Sequence, residues 1–346
     1  VITSADKNRR VQCAKCLSNG RYKNARRFFQ VCTTVRKLKV IYDISLFSSK
    51  KPIVLTQGTF DGVHFGHKKI LSQVVSEAKK LKGESVLLTF YPHPRLVLNP
   101  DKNDLKLLST IEEKTELVAD LGIDYLIIIP FTQEFSQLSA SAFVKIILVD
   151  KIHIAKLIIG YDHRFGRGRE GGIEQMKELA ELHHFQLAEI PAQDISESIV
   201  SSTKIRQALL QGDVQLANQY LGTRYVISGK VEEGHQRGRT LGFPTANIRL
   251  DSSFKLVPLN GVYAVWVCID KKKYPGMLNI GYNPTFEENK WSLEVHVFDF
   301  SENVYHKQIS VEFVARHRSE QKFDSPDSLI KALRMDEKKI REILQA

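Results

Sequence analysis

Residues 58–71 read GTFDGVHFGHKKIL. Three glycines, an aspartate and two histidines fall within the ten residues from Gly58 to His67. The apolar run PIVLTQ (Pro52–Gln57) leads in as a short strand. Lys68–Lys82 lead out, with Ile70, Leu71, Val74, Val75, Ala78 and Leu81 at helical spacing. In an open parallel sheet, ligands bind at the carboxyl ends of strands. Glycines there let the backbone come close to a ligand, and free N–H groups at a helix start attract phosphate. His64 and His67, three apart, share one side of the first helical turn. Two imidazoles at such a place can donate hydrogen bonds to oxygens that gain charge during phosphoryl or nucleotidyl transfer. No Gly-Lys-Ser/Thr closes the loop, so it is not a Walker A motif. Taken alone, His-x-x-His is weak: a zinc pair or two surface histidines is the plainer reading, although no third ligand is evident.

Working outward, SVLLTF (Ser85–Phe90) reads as the next buried strand and IEEKTELVADLG (Ile111–Gly122) as a helix, with Thr110 and Glu113 forming a capping box. DYLIIIPF, a helix around Ala140–Val149, the strand AKLIIG (Ala155–Gly160), a helix near Gly172–His183 and the strand FQLAEIP follow. Strands alternating with helices predict a mostly parallel sheet with helices on both faces. After the helical TKIRQALLQGDVQLANQYLG (Thr203–Gly222) the period changes to two. YVISGKVEEG, GVYAVWVCID, WSLEVHVFDF and KQISVEFVARH read as strands of an antiparallel barrel. SPDSLIKALRMDEKKIREILQ closes the chain as a charged amphipathic helix or helix pair. No internal repeat is present, and the boundary between halves falls near Thr223.

The net charge of +11 over 346 residues points to nucleic acid only until it is located. The first forty residues hold eleven Lys/Arg and one acid, Asp6; the rest hold 39 basic and 38 acidic side chains. The body is nearly neutral and the basic character belongs to residues 1–37, which show no clear period. They read as a disordered leader, as sequence upstream of the true start, or, being Arg-rich and acid-poor, as something like an organellar transit peptide. Cys13, Cys16 and Cys32 lie there, and Cys268 alone lies in the body. No disulfide framework is indicated, which predicts a reducing, cytoplasmic setting. Cys13-x-x-Cys16 lacks the four ligands of a structural zinc site. No apolar run approaches the roughly 18 residues of a membrane span.

GTFDGVHFGH resembles the H-x-G-H signature of the nucleotidylyltransferase superfamily, in the form found in bacterial bifunctional riboflavin kinase/FAD synthetases. Three further stretches match that family in order: TFYPHPR (Thr89–Arg95), IIGYDHRFGRGREGG (Ile158–Gly172) and VSSTKIRQAL (Val200–Leu209). The resemblance implies a Rossmann-like α/β nucleotidylyltransferase domain over 38–222 and a riboflavin kinase β-barrel with a C-terminal helix over 223–346. It implies that an FMN phosphate oxygen attacks the α-phosphorus of ATP, giving FAD and pyrophosphate without a covalent intermediate, so that positioning and charge neutralisation carry catalysis. His64 and His67 would contact the reacting phosphates. Gly58, Phe60, Asp61, Gly66 and Asp162 would line the nucleotide site, and Ser202, Thr203 and Arg206 would hold the triphosphate. Pro92, His93 and Pro94 would form the flavin side. The plainer reading of Lys204 and Arg206 is a solvated helix face; the serines directly before them favour function.

GHQRGRTLGFPTANI (Gly234–Ile248) resembles the G-x-P-T-A-N signature of riboflavin kinases. Gly238 and Gly242 would allow a mobile loop over ATP phosphates. Thr245 and Asn247 offer neutral oxygens suited to a hydrated Mg²⁺. An ordinary turn into a strand is the competing reading of Pro-Thr-Ala-Asn alone. In WSLEVHVFDF, Leu293, Val295 and Val297 share one face and Glu294 and His296 the other; the resemblance makes Glu294 the base for the riboflavin 5′-hydroxyl. VYAVWV, NIGYNPTF and EQKFDS also sit where the family has barrel segments. Departures are His306, where a glycine usually follows the Tyr; His317, where the family is usually apolar; and Lys204, where Arg is common. Both histidines fall near the expected flavin-closing region and bear on kinase turnover.

The expected activity is therefore riboflavin to FMN in the barrel and FMN to FAD in the α/β half, with ATP, riboflavin and FMN as substrates and Mg²⁺ as cofactor. An alternative keeps only the adenylyltransferase, with the barrel as a flavin-binding regulator; Asn247 with Glu294 argues against it. A flavin-responsive nucleic-acid-binding regulator would use the basic leader, but most of the leader's cations lack neighbouring aromatics. The expected partners are small molecules, with neither nucleic acid nor membrane, and weak homo-oligomerisation stays open.

Overall fold

Six strands pair in one sheet: β1 (Lys39–Ile41), β2 (Ile53–Gln57), β3 (Glu84–Tyr91), β4 (Tyr125–Pro130), β5 (Ile154–Gly160) and β6 (Gln186–Ile190). The computed structural model describes residues 38–98, 105–161, 164–191, 200–233, 238, 241–282 and 291–345. The leader, residues 1–37, and the reading made of it lie outside them. The sheet order is β1-β4-β3-β2-β5-β6, and every pairing is parallel. From β2 the chain steps outward to β3 and β4 through α1 (Phe65–Lys80) and α2 (Ile111–Asp120), then returns to lay β5 beside β2. β2 and β5 thus flank the point where the winding direction reverses, the place beyond which open parallel sheets bind ligands. The Gly58–His67 loop leaves β2 at that point.

Period-two alternation divides the strands between two cores. Val54, Leu87, Leu126 and Ile128 pack with Leu71, Val74 and Ala78 of α1 and with Val118 of α2. Leu55, Val86, Leu88, Ile127 and Ile129 pack on the other face, with Phe143, Val144, Leu148 and, from α3 (Ile173–Leu182), Met176 and Leu179. Helices on both faces, as the alternating pattern predicts, bury both sides of the sheet; each such apolar side chain contributes about 1.5–3 kcal/mol. The helix expected around Ala140–Val149 is α-helical only over Ala140–Phe143 and π-helical over Val144–Lys151.

The stretch 203–222 forms two helices, α4 (Ser202–Leu210) and α5 (Val214–Leu221). Gly212 takes a left-handed turn at φ 80°, and Asp213 restarts the helix by accepting from Leu216 N at 2.9 Å. Beyond them β7 (Val226–Glu232), β8 (Ala246–Leu250), β9 (Gly261–Ile269), β10 (Lys272–Tyr282), β11 (Trp291–Val297) and β12 (Gln308–Arg318) close an antiparallel barrel in the order β10-β11-β8-β7-β12-β9. Its core, with Tyr263, Val265, Val295 and Phe313, also takes in Ile205, Leu209, Ala217 and Leu221 of α4 and α5. The last segment is a single helix, α6 (Pro326–Gln345).

One segment stitches sheet and barrel together. Leu107 exchanges backbone hydrogen bonds with Phe254 and Leu256 at 2.6 and 2.8 Å. Next to it, Glu113 of α2 pairs with Lys255 at 2.5 Å, with side chains 6% and 1% exposed. Glu113 also completes the expected capping box with Thr110 and accepts from Ser228 N of the barrel at 3.0 Å.

Candidate active sites

Backbone strain shapes the loop after β2. Phe60 and Val63 adopt positive φ, 45° and 41°, conformations that non-glycine residues seldom adopt and that concentrate at functional sites. Gly62, at φ 79°, could not carry a side chain, because a Cβ would lie 2.9 Å from the Leu108 side chain. His64 then caps α1: its Nδ1 accepts from His67 N at 3.4 Å. The two rings stack with centroids 3.6 Å apart and planes 17° apart, on one side of the first turn as their spacing predicts. His67 also leans on Phe60 at 4.8 Å. Its Nδ1 is sealed from solvent and has no hydrogen-bond partner among the described residues. Burial, then His64 and Lys114, hold its pKa well below 6.5, so it stays neutral.

Several residues converge on this loop, and not all in the roles the resemblance implies. The Asp61 carboxylate is buried and accepts from Leu108 N at 3.0 and 3.1 Å, from Ser109 N at 3.2 Å and from Arg206 at 2.5 Å. Arg206 also donates from Nε to Lys106 O at 2.7 Å. Ser202 Oγ donates to Asp61 O at 3.2 Å, Ser201 caps α4 through Lys204 N, and Thr203 is exposed in its first turn. Asp61 and Arg206 therefore lock α4 to the loop before any ligand arrives. Gly58 donates to Leu88 O at 3.0 Å, and Gly66 is buried in the first turn of α1. Pro92 follows a cis peptide bond, and Pro94 opens the short helix Pro94–Leu98. His93 Nδ1 accepts from Arg95 N at 3.2 Å. Burial pushes His93 down to about 4, with Asp61 opposing and Lys114, Arg206 and Arg95 assisting. Asp162 lies outside the described residues. Lys114, absent from the sequence reading, is buried beneath the loop and donates to Thr59 O at 2.7 Å. Its signal was available: with Ile111 and Val118 it falls on the buried stripe of α2, where a lysine is out of place.

A second constellation sits on the barrel. Glu294 of β11 stands opposite Asn247 of β8 in the strand register. Its carboxylate accepts from Thr245 Oγ1 at 3.2 Å and from Ser292 Oγ at 2.9 Å. Leu293, Val295 and Val297 are buried while Glu294 and His296 are part-buried, matching the predicted faces. His296 Nδ1 lies 2.7 Å from Pro244 O, and its ring meets Phe243 edge-on at 5.4 Å. This pins the turn that presents Thr245. Gly238 O accepts from Phe243 N at 2.8 Å; a Cβ on Gly238 would sit 3.3 Å from Thr245 Oγ1. Gly242 holds φ 81° in open space. Ser292 was missed in sequence, although period-two alternation puts it on the Glu294 face two residues away.

The two unusual histidines have separate roles. His306 sits at φ 66°, the left-handed conformation that glycine takes without strain. His317 Nε2 lies 2.9 Å from Asp336 Oδ1. Arg318 forks onto the same buried carboxylate at 2.7–3.0 Å, so His317 helps fasten α6 to β12.

With this geometry in place, comparison with known proteins is specific. A FAD synthetase family model matches residues 46–204 and a riboflavin kinase model residues 221–344. A bifunctional riboflavin kinase/FMN adenylyltransferase of Listeria monocytogenes is 37% identical over 289 residues, 83% of this chain and 91% of its own. One from Buchnera aphidicola is 39% identical over 307 residues, 87% of this chain and 96% of its own. The crystal structure of a macrolide-efflux protein from Streptococcus pneumoniae superposes with a TM-score of 0.77 at 30% identity, over 88% of this chain and 98% of that one. Among the described residues no helix is long and apolar enough to cross a membrane. Two matched models in tandem, and relatives aligned along nearly their whole length, place the chain in the family of bifunctional riboflavin kinase/FMN adenylyltransferases.

Proposed function

We propose that the chain makes FAD from riboflavin in two ATP-dependent steps, at two sites that share no residue. The kinase step belongs to the barrel, 223–346. Glu294 takes the proton of the riboflavin 5′-hydroxyl, whose oxygen attacks the γ-phosphorus of ATP as ADP leaves. The observation that carries this is the Glu294 carboxylate, held at 3.2 and 2.9 Å by Thr245 and Ser292 and aligned with Asn247. A side chain fixed by two hydroxyls is preorganised rather than searching for its position. The oxygen donors of Thr245 and Asn247 beside a carboxylate fit a hard cation such as Mg²⁺, which takes few protein ligands and keeps its waters and substrate phosphates. When bound, it would neutralise charge on the ATP phosphates. Gly238 and Gly242 supply the turn over the nucleotide. The alternative, a barrel that binds flavin without phosphorylating it, is not favoured by this arrangement.

The adenylyl step belongs to residues 38–222. An oxygen of the FMN phosphate attacks the α-phosphorus of ATP and pyrophosphate leaves. His64 and neutral His67 donate to the phosphate oxygens as charge builds there. Gly58, Phe60 and Gly66 bring loop backbone to the nucleotide, while Asp61 keeps Arg206 in place. Ser202, Thr203 and Arg206 present the start of α4 to the triphosphate. Pro92, His93 and Pro94 line the flavin side, and Asp162, by its place in the family motif, is expected to serve the nucleotide. Cys268, a free thiol, is in keeping with a reducing, cytoplasmic setting. Incubating the purified protein with riboflavin, ATP and Mg²⁺ and separating the flavins by chromatography tests the proposal: FMN appears first, then FAD. Riboflavin left unchanged would refute it.

A further inference from the structure

Lys114 is 6% exposed on the inner side of α2. Its Nζ donates to Thr59 O at 2.7 Å, and Thr89 Oγ1 donates to the same carbonyl at 3.4 Å. Thr59 precedes left-handed Phe60, against which the His67 ring rests. Among the described residues Lys114 makes no ion pair. The nearby carboxylate, Asp61, is already taken by Arg206 and by two backbone N–H groups. Burying an unpaired ammonium is costly, and a neutral donor would satisfy one carbonyl without that cost. A purely structural lysine is therefore a poor account of the position. The groups whose charges reach it or share its surroundings are His64, the N-cap of α1, and His67 in its first turn, His93 just before the Pro94–Leu98 helix and Arg95 within it, Arg206 from α4 and Asp61 from the loop. Positive charge outweighs negative in that set, as suits a site that receives two polyanions.

We propose that Lys114 is a positioning residue for adenylyl transfer: its ammonium clamps the Thr59 carbonyl, fixes the His67 ring through Phe60, and supplies a buried positive charge beside the imidazole pair. This rests on the reading of the first site given above. The charge has a further consequence, since Lys114 is among the groups that keep His67 neutral. Burial brings Lys114 itself down to about 8, with Asp61 opposing. Its charge is then present at neutral pH and lost as the pH rises through 8.

Two substitutions and two readouts test this. Lys114→Met is expected to lower kcat for FAD formation from supplied FMN about 10–100-fold, the scale of a slight misplacement of reacting groups, with little change in KM. FMN formation from riboflavin, in the same preparation, should stay at the parent level and so report an intact fold. The parent should lose adenylyl transfer above about pH 8, and Lys114→Arg, which stays charged, should keep activity there. By NMR of labelled imidazoles, His67 should titrate at higher pH in Lys114→Met than in the parent. FAD formation within twofold of the parent in Lys114→Met overturns the proposal, as does an alkaline limb unmoved in Lys114→Arg. If the parent makes no FAD at all, the first-site reading fails instead. The His67 titration then still decides, an unmoved His67 in Lys114→Met sinking the role of the Lys114 charge.

Discussion

At the scale of single residues, the proposed chemistry uses Glu294 and His67 in opposite ways. In the proposed kinase step Glu294 is the base, and two hydroxyls hold it in place. Replacing it by Gln keeps the size and removes the basicity, so FMN formation should fall by about 10²–10⁴, measured as initial rate from riboflavin. In the proposed adenylyl step His67 is a neutral donor, and its removal as Ala should cost FAD formation about a hundredfold while FMN accumulates. His306 offers a third test, of stability rather than of chemistry. Relief of its left-handed conformation by His306→Gly should raise stability by about 0.5–1 kcal/mol, the cost of that conformation less the added freedom of the unfolded glycine; a lower urea midpoint would contradict this. Of these residues, His64, His67 and Glu294 were legible because they lie inside motifs. Lys114 lies outside them and stood out only as a lysine on the buried stripe of α2, its contact with Thr59 being distant in sequence. Ser292 was overlooked although it shares the strand face of Glu294. Asp61 was legible as a site residue but its carboxylate binds the chain's own backbone, which no spacing reveals.

Elements show the same division between local and distant signals. The start of α2 was readable from Thr110 and Glu113, and the capping box is present. Its second use was not readable: Glu113 meets Lys255 in a pair buried against the barrel. Lys255 also donates to Leu108 O at 2.7 Å and lies over the Tyr225 ring at 4.4 Å. Removing one member of a buried pair leaves the other uncompensated. Lys255→Met should therefore cost about 3–5 kcal/mol, read from urea unfolding; a loss under about 1 kcal/mol would show the pair to be idle. The break between α4 and α5 was written in Gly212-Asp213 and overlooked, because apolar spacing runs through it. β1, three residues at the sheet edge, is too short for any period to show.

Across the whole molecule, period-two and period-3.6 patterns disclosed a parallel sheet followed by an antiparallel barrel. Closure of that barrel, with β9 between β10 and β12, depends on pairings that alternation alone leaves free. Acid stability is also a property of the assembled chain. His93 falls to about 4 and His67 lies well below 6.5, both through burial. Between pH 6.5 and 4 the unfolded chain binds more protons at these positions than the folded one. Stability therefore falls as the pH drops through that window, by on the order of 1–3 kcal/mol for His93. In a titration of unfolding free energy, His93→Gln should flatten the slope; an unchanged slope would mean that His93 is not buried as neutral imidazole.

The claim that two separate sites act in series is tested most directly by mixing two disabled chains. His67→Ala and Glu294→Gln are each incubated with riboflavin, ATP and Mg²⁺, alone and together, and the flavins are separated. His67→Ala alone should stop at FMN. Glu294→Gln alone should leave riboflavin almost untouched, yet convert supplied FMN to FAD. The mixture should carry riboflavin through to FAD, because each chain supplies the step that the other lacks. If either variant, still folded, lost both steps, or if the mixture made no FAD, the two-site account would be wrong.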